Sequence, residues 1–287
     1  MIIDFHIHVG DRGFWHPWVF EWMLGFREKS GIERVMDQEG KMNPRALVSL
    51  LEEAGVNYGV VLAELSPVTT GMITNEYVAE FCAREPRLIP FCNINPHLVA
   101  NPSRELVRCV EELGCRGLKL LPTYQGFYPN DPSIYPLYAR AEELRIPVLI
   151  HTGSSIFKGS RLKYGNPLSL DDVAVDFPDL PIVLAHSGRG VWYEEAFLLS
   201  QLHGNVYMEV SGLPPQNLLN YFPRLGKNAD RVLFGSDWPG MPGIAENIAA
   251  IRALPLKEEV KDKILGENAR KILDKAISEK AVSRLTC

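Results

Sequence analysis

The feature that most constrains this chain is a regular alternation: short apolar, β-branched runs recur eight times, separated by amphipathic stretches. The runs are Ile2 to Val9, Tyr58 to Ala63, Leu88 to Ile94, Arg116 to Leu121, Pro147 to His151, Pro181 to His186, Val206 to Val210 and Arg231 to Gly235. Between them lie stretches of helical period such as Pro44 to Ala54, Pro102 to Leu113, Ser133 to Leu144 and Glu246 to Leu254. Several are entered through Asn-Pro or Asp-Pro or closed by Gly, the punctuation expected at helix ends. Strand and helix in turn are the mark of βα units around a parallel sheet. Eight such units close into a single-domain α/β fold, the (β/α)8 TIM barrel, which commonly takes about 250 residues. Residues 1–275 are therefore expected to form the barrel and 276–287 a polar C-terminal tail. An open doubly wound sheet alternates in the same way, but no GxGxxG follows the first strand, so a nucleotide cofactor is not indicated.

One segment breaks the rhythm. Gly10 to Met42 follows the first strand, is too long for an ordinary βα connection, and concentrates Phe14, Trp15, Trp18, Phe20, Trp22 and Phe26. Loops after barrel strands build the active-site face. The insertion is expected to be a lid or substrate wall; a hydrophobic contact in a homodimer or a simple packing excursion are the other readings.

Composition narrows the function classes. The net charge of -5, with no basic block interleaved with aromatics, sets nucleic acid aside. No apolar run reaches the roughly 18 residues of a membrane helix, and Met1-Ile2-Ile3-Asp4 lacks the basic start of a signal peptide, so a cytoplasmic protein is expected. Cys82, Cys92, Cys109, Cys115 and Cys287 are odd in number and form no CxxC pair, which points to reduced, buried thiols.

The polar residues of the strands carry the chemistry. Residues two apart on a strand point to the same side, so His6 and His8 project together from backbones about 6.6 Å apart. Two imidazoles so placed can chelate one cation. His151, His186 and Asp237 end three further strands, and the C-terminal ends of barrel strands converge on one mouth. Nitrogen and carboxylate donors of this kind suit zinc first, with iron, manganese or cobalt also accommodated. Capping or loop hydrogen bonding is the ordinary role for any one such residue; five on one rim point to a metal site.

The strings Asp4-Phe5-His6-Ile7-His8, Gly117-Leu118-Lys119-Leu120, Leu184-Ala185-His186-Ser187-Gly188, Phe234-Gly235-Ser236-Asp237 and Gly266-Glu267-Asn268-Ala269 together resemble the amidohydrolase superfamily. Within it the chain is similar to the branch related to aminocarboxymuconate semialdehyde decarboxylase and to short metal-dependent TIM-barrel hydrolases. The resemblance spans nearly the whole chain. It implies that His6, His8 and His151 are metal ligands, that Asp237 is a carboxylate at the metal which also handles a proton, and that His186 is a neighbouring acid or base rather than a ligand. It implies one zinc per chain. Lys119 occupies the place where binuclear members carry a carboxylated bridging lysine; contact with substrate, a structural ion pair and a surface-turned side chain are the other roles open to it.

Further candidates on the substrate side are Arg189, Trp15, Trp18 and His16, with Thr123 and Tyr124 weaker. Arg189, in Ser187-Gly188-Arg189-Gly190, and the loop bearing Lys158, Arg161 and Lys163 would favour an anionic small-molecule substrate. Glu64, His97 and Glu209 are expected to cap helices or bond to loops, and His203 to sit at a helix end away from the mouth. The expected function is hydrolysis of a small, carboxylate-bearing amide, ester or lactone by a metal-activated water. Nonoxidative decarboxylation of an unsaturated or aromatic acid is the alternative within enzymes, and a barrel that binds without catalysis is the alternative outside them.

Overall fold

Each of the eight runs becomes a strand of one parallel sheet. In the computed structural model, which describes residues 1–241 and 243–274, the strands are β1 (Ile3–His8), β2 (Tyr58–Leu62), β3 (Leu88–Asn93), β4 (Leu118–Leu120), β5 (Val148–Gly153), β6 (Ile182–Arg189), β7 (Val206–Glu209) and β8 (Val232–Leu233). They pair in chain order. Between β8 and β1 the ring is completed by Phe5 N donating to Phe234 O (3.0 Å), Asp237 N to His6 O (3.0 Å) and His8 N to Trp238 O (2.8 Å). The expected tail, 276–287, lies outside the described residues, as does Cys287; Cys92, Cys109 and Cys115 are buried thiols. No helix among the described residues is long and apolar enough to cross a membrane.

The barrel is filled rather than hollow. Ile3 and Phe5 of β1, Val60 and Leu62 of β2, Ile89 and Phe91 of β3, Leu149 of β5, Val183 and Ala185 of β6 and Leu233 of β8 form one fully buried inner cluster. Each of the larger of these side chains contributes about 1.5–3 kcal/mol by leaving water. Their neighbours in sequence, among them Val61, Leu118, Ile150, Leu184, Met208 and Val232, face the surrounding helices in two outer clusters. Phe5 and Phe91 meet edge to face at 5.6 Å. A Cβ on Gly117 would run into the Phe91 ring, so the entry to β4 requires glycine.

Two departures from strict alternation aim the polar residues at the mouth. The pairing of β1 with β2 slips between Asp4 and Ile7, a bulge that places Ile3 and Phe5 inside yet turns Ile7 to the outer cluster and His6 inward. In β6, alternation after the inward Ala185 would send His186 to the helices. His186 and Ser187 instead adopt left-handed backbone, φ 64° and 47°, and His186 faces the cavity.

The insertion after β1 is folded. It holds a short turn, Arg12–Phe14, and helices Pro17–Leu24, Arg27–Ser30 and Ile32–Val35. Trp15 and Phe20 are buried, and Trp18 and Trp22 pack against the same core. A hairpin, Glu64–Ser66 with Gly71–Ile73, follows β2 and receives the insertion through a bridge between Trp15 and Gly71.

Candidate metal centre

The strand ends converge as the barrel geometry requires. His6 Nε2 and His8 Nε2 face each other at 3.2 Å, and Asp237 Oδ1 lies 3.6 Å from the first and 3.4 Å from the second. These three donors form a group tight enough to hold a cation. His186 completes the floor, its ring 4.9 Å from that of His6 and 4.8 Å from that of His151. His151 stands outside the tight group, yet its Nε2 is buried without a hydrogen-bond partner. Buried polar atoms are rarely left so, and a cation is the partner that such an imidazole suits. The donor set therefore fits a divalent metal.

Asp237 is held in a left-handed conformation, φ 61°, which costs about 1–3 kcal/mol and marks a constrained functional position. Its segment is pinned by Ser236 N donating to Asp4 Oδ1 (2.8 Å) and Trp238 N to Ser236 Oγ (3.1 Å).

Behind the imidazoles stand two carboxylates. Glu209 Oε2 is 3.1 Å from His6 Nδ1, and Glu64 Oε2 is 3.2 Å from His8 Nδ1, near enough to pair although not aligned as a hydrogen bond. Ser211 Oγ donates to Glu209 Oε2 (2.8 Å) and lies 3.0 Å from both His6 Nδ1 and His186 Nδ1. The Ser211 carbonyl is 3.0 Å from His186 Nδ1. A carbonyl only accepts, so Nδ1 of His186 carries the proton and Nε2 is the nitrogen left for chemistry.

Burial, together with the positive charge of Lys119 and, for His151 and His186, of Arg189, keeps the imidazoles of His6, His151 and His186 well below their usual range, in the neutral form that binds metals. Burial alone would raise Asp237; the facing His186 and His8 outweigh it and hold the carboxyl well below its ordinary value. For His8 burial is outweighed by Asp237 and Glu64, which push it up to about 9. A divalent cation bound here would take the place of that proton. Burial moves Lys119 down to about 8 and Glu209 up to about 8. The donors aimed at Glu209 and a cation beyond His6 both favour its ionised form.

Above the floor opens a cavity of about 280 Å³. Its walls are apolar, from Trp15, Trp22, Leu121, Ile156, Phe157 and Met241, with Tyr124, Ser155 and Arg189 as polar points. Lys119 is buried at the base, Nζ 3.5 Å from His6 Nε2. Arg189 donates through Nη2 to Ser154 O (3.1 Å), while Nη1 lies 3.6 Å from Asp237 Oδ2. Trp15 thus reaches the cavity, but Trp18 and His16 do not line it. They stack on each other at 4.3 Å on the hairpin side, where His16 Nε2 meets Pro67 O at 2.7 Å. Lys158 lies over Trp18 and Lys163 over Tyr164, on the outside. His203 pairs with Asp171, away from the mouth.

Sequence reasoning passed over Ser211 and Phe157, and it gave Glu64 and Glu209 capping or loop roles where the structure sets them behind His8 and His6. The signal for Glu209 was a single carboxylate at an inward position of an otherwise apolar strand. Nothing comparable marks Phe157, which meets Trp22 edge to face at 5.1 Å only once the β5 loop folds back.

The amidohydrolase family model Amidohydro_2 matches residues 3–275. The gamma-resorcylate decarboxylase of Rhizobium radiobacter is 25% identical over 244 residues, covering 69% of this chain and 74% of that protein. An uncharacterised TIM-barrel protein of Bordetella bronchiseptica superposes with a TM-score of 0.77 at 26% identity, over 96% of this chain and 99% of the other. A dihydroxybenzoic acid decarboxylase of a Polaromonas species, solved with bound manganese and 2-nitroresorcinol, shares the fold with a TM-score of 0.68 at 19% identity, over 95% and 96% of the two chains.

Proposed function

Because the chain belongs to the amidohydrolase family, we propose that it is a metal-dependent carboxy-lyase that removes one carboxylate, without oxidation, from a small aromatic or unsaturated acid. The observation that carries the proposal is the two-part cavity: a floor of converging His6, His8, His151, His186 and Asp237 under an apolar, aromatic sleeve. At about 280 Å³ it sits at the small end of ligand pockets, which run roughly 300–1,000 Å³, and suits a single ring. The sleeve and the decarboxylase among the relatives support carbon–carbon cleavage over the hydrolysis expected first from the sequence.

His6, His8, His151 and Asp237 would hold the metal, with zinc the first candidate at one per chain and manganese the second. When bound, the cation supplies Lewis acidity to substrate oxygens. Arg189 has donors left over from Ser154 and Asp237 with which to anchor an anionic substituent, and Lys119 offers a second cation at the base. Trp15, Trp22 and Phe157 sandwich the ring and exclude water. His186, its Nδ1–H committed to Ser211, delivers a proton from Nε2 to the carbon that loses the carboxylate. As the carbon–carboxylate bond breaks, its electron pair stays on that carbon and takes the proton, carbon dioxide leaves, and one solvent proton is consumed per turnover. Low proton affinity makes His186 a strong donor once protonated, and ionised Asp237, 3.9 Å from its Nδ1, stabilises the imidazolium.

The test is a panel of hydroxybenzoates and unsaturated dicarboxylates, run in deuterated water with zinc or manganese and read by carbon dioxide release and deuterium at the vacated carbon. Turnover of amides, esters or lactones with no carbon dioxide from any acid would overturn the proposal.

A further inference from the structure

We propose that Glu209 is a positioning residue: it fixes the ring orientation and tautomer of His6 directly, and those of His186 through Ser211, so that one buried carboxylate aligns the metal-binding and proton-handling imidazoles. The inference rests on the metal site described above and assigns a role to a side chain that touches neither cation nor substrate in that reading.

Glu209 is fully buried at the inward end of β7. Among the described residues it makes no ion pair with Lys or Arg; the ring nitrogen nearest to it is Nδ1 of neutral His6, 3.1 Å away. Its oxygens are nevertheless fully used. Oε1 accepts from Ser211 N (2.8 Å). Oε2 accepts from Ser211 Oγ (2.8 Å) and, more distantly, from His186 N (3.4 Å), and lies 3.1 Å from His6 Nδ1. The barrel makes room for it, since a Cβ on Gly235 of the segment after β8 would collide with both Glu209 Oε1 and His6 Cβ.

With Glu209 ionised, the hydrogen bonds leave one consistent proton arrangement. Ser211 Oγ spends its hydrogen on Glu209, so toward the two imidazoles it can only accept. His6 therefore bears its proton on Nδ1, shared between Glu209 Oε2 and Ser211 Oγ, and His186 bears its own on Nδ1, shared between the carbonyl and hydroxyl of Ser211. Both Nε2 atoms are left with free lone pairs. Carboxylates behind metal-binding histidines do this work widely, and their loss costs about 10–100-fold in affinity. What is particular here is that the same carboxylate grips Ser211 twice and thereby sets His186 as well. Glu209 could alternatively join His6 and His186 as a cation ligand, since their donor atoms lie close together. The Ser211 hydroxyl occupies the middle of that triangle, within 2.8–3.0 Å of all three, which makes it a hydrogen-bond node.

The experiment has two arms. Nitrogen-15 NMR of histidine-labelled, metal-free protein reads the tautomers, and titration with zinc or manganese alone reads affinity for parent, Glu209→Ala and Glu209→Gln. Expected are Nδ1–H tautomers for His6 and His186 in the parent and mixed tautomers for both in Glu209→Ala. Metal affinity should fall 10–100-fold in that variant, and Glu209→Gln, whose amide oxygen still accepts from Nδ1–H, should recover part of it. A parent with the His6 proton on Nε2 would overturn the inference, as would a folded Glu209→Ala that binds metal like the parent. A metal loss in Glu209→Ala well beyond the roughly 100-fold of a positioning carboxylate, with both tautomers unchanged, would instead mark Glu209 as a ligand and equally overturn it. The tautomer arm decides even if no protein binds metal, an outcome that would count against the metal site itself.

Discussion

Replacing Gly212 by Ala puts a single methyl group where the site has no room. Gly212 follows β7 with φ at 66°, and an added Cβ would overlap Nη1 of Arg189 while standing 2.8 Å from Asp237 Oδ2 and 3.3 Å from His186 Nδ1. Ordinary contact begins near 3.4 Å, so Asp237 must retreat by roughly half an ångström and the guanidinium by more. Left-handed backbone in a residue with a Cβ costs about 1–2 kcal/mol. The contacts add to that, for a total near 1–3 kcal/mol and a fall in Tm of roughly 2–4 °C per kcal/mol. A protein of ordinary stability stays folded at 25 °C. Turnover should suffer far more, by about 10–100-fold, because displacement of reacting groups by about 1 Å costs on the order of 100-fold. Gly55→Ala is the control: φ is 76° there, but nothing lies within 4 Å of an added Cβ. It should lose the same 1–2 kcal/mol and keep the parental rate. Thermal unfolding by circular dichroism, with turnover at 25 °C, measures both. A Gly212→Ala enzyme as active as Gly55→Ala would refute the reasoning.

Three further outcomes follow from the site. Replacing His6 and His8 together by Ala should abolish metal retention; elemental analysis showing the same content as the parent would remove both from the ligand set. Lys119 should carry no carboxyl group, because His6 Nε2 already lies 3.5 Å from its Nζ, where that group would have to sit; carbon-13 NMR under labelled carbon dioxide should show no carbamate, and a signal lost in Lys119→Ala would reverse this. His186→Asn should keep most of its metal but lose about 100-fold or more in turnover, whereas Asp237→Ala should lose both, and parallel loss of metal and rate in His186→Asn would make His186 a ligand.

The eight strands were readable because parallel barrel strands, buried on both faces, stand out as apolar runs, and His6, His8, His151, His186 and Asp237 because they end those runs. What the pattern could not show is how local backbone re-aims individual side chains. Simple alternation places Ile3 and Phe5 opposite His6; the bulge in β1 puts all three inside. The inward turn of His186 depends on a left-handed pair that the sequence pattern does not mark, since residues other than glycine seldom adopt it. The Glu64–Ser66 hairpin escaped notice because each of its strands has three residues. The insertion was read for its aromatics without its helices, two of which are single turns of four residues. Glu64 and Glu209 were visible as residues but not as partners, because facing His8 and His6 is a property of the closed ring.

The most direct measurement is anomalous X-ray diffraction from crystals grown with zinc or manganese. The expected result is one cation per chain, touched by Nε2 of His6, His8 and His151 and by Oδ1 of Asp237, with Glu209 behind His6 and Lys119 unmodified. A cation seated instead among His6, His186 and Glu209, or a second one bridged through Lys119, would contradict the assignment on which the proposed chemistry stands.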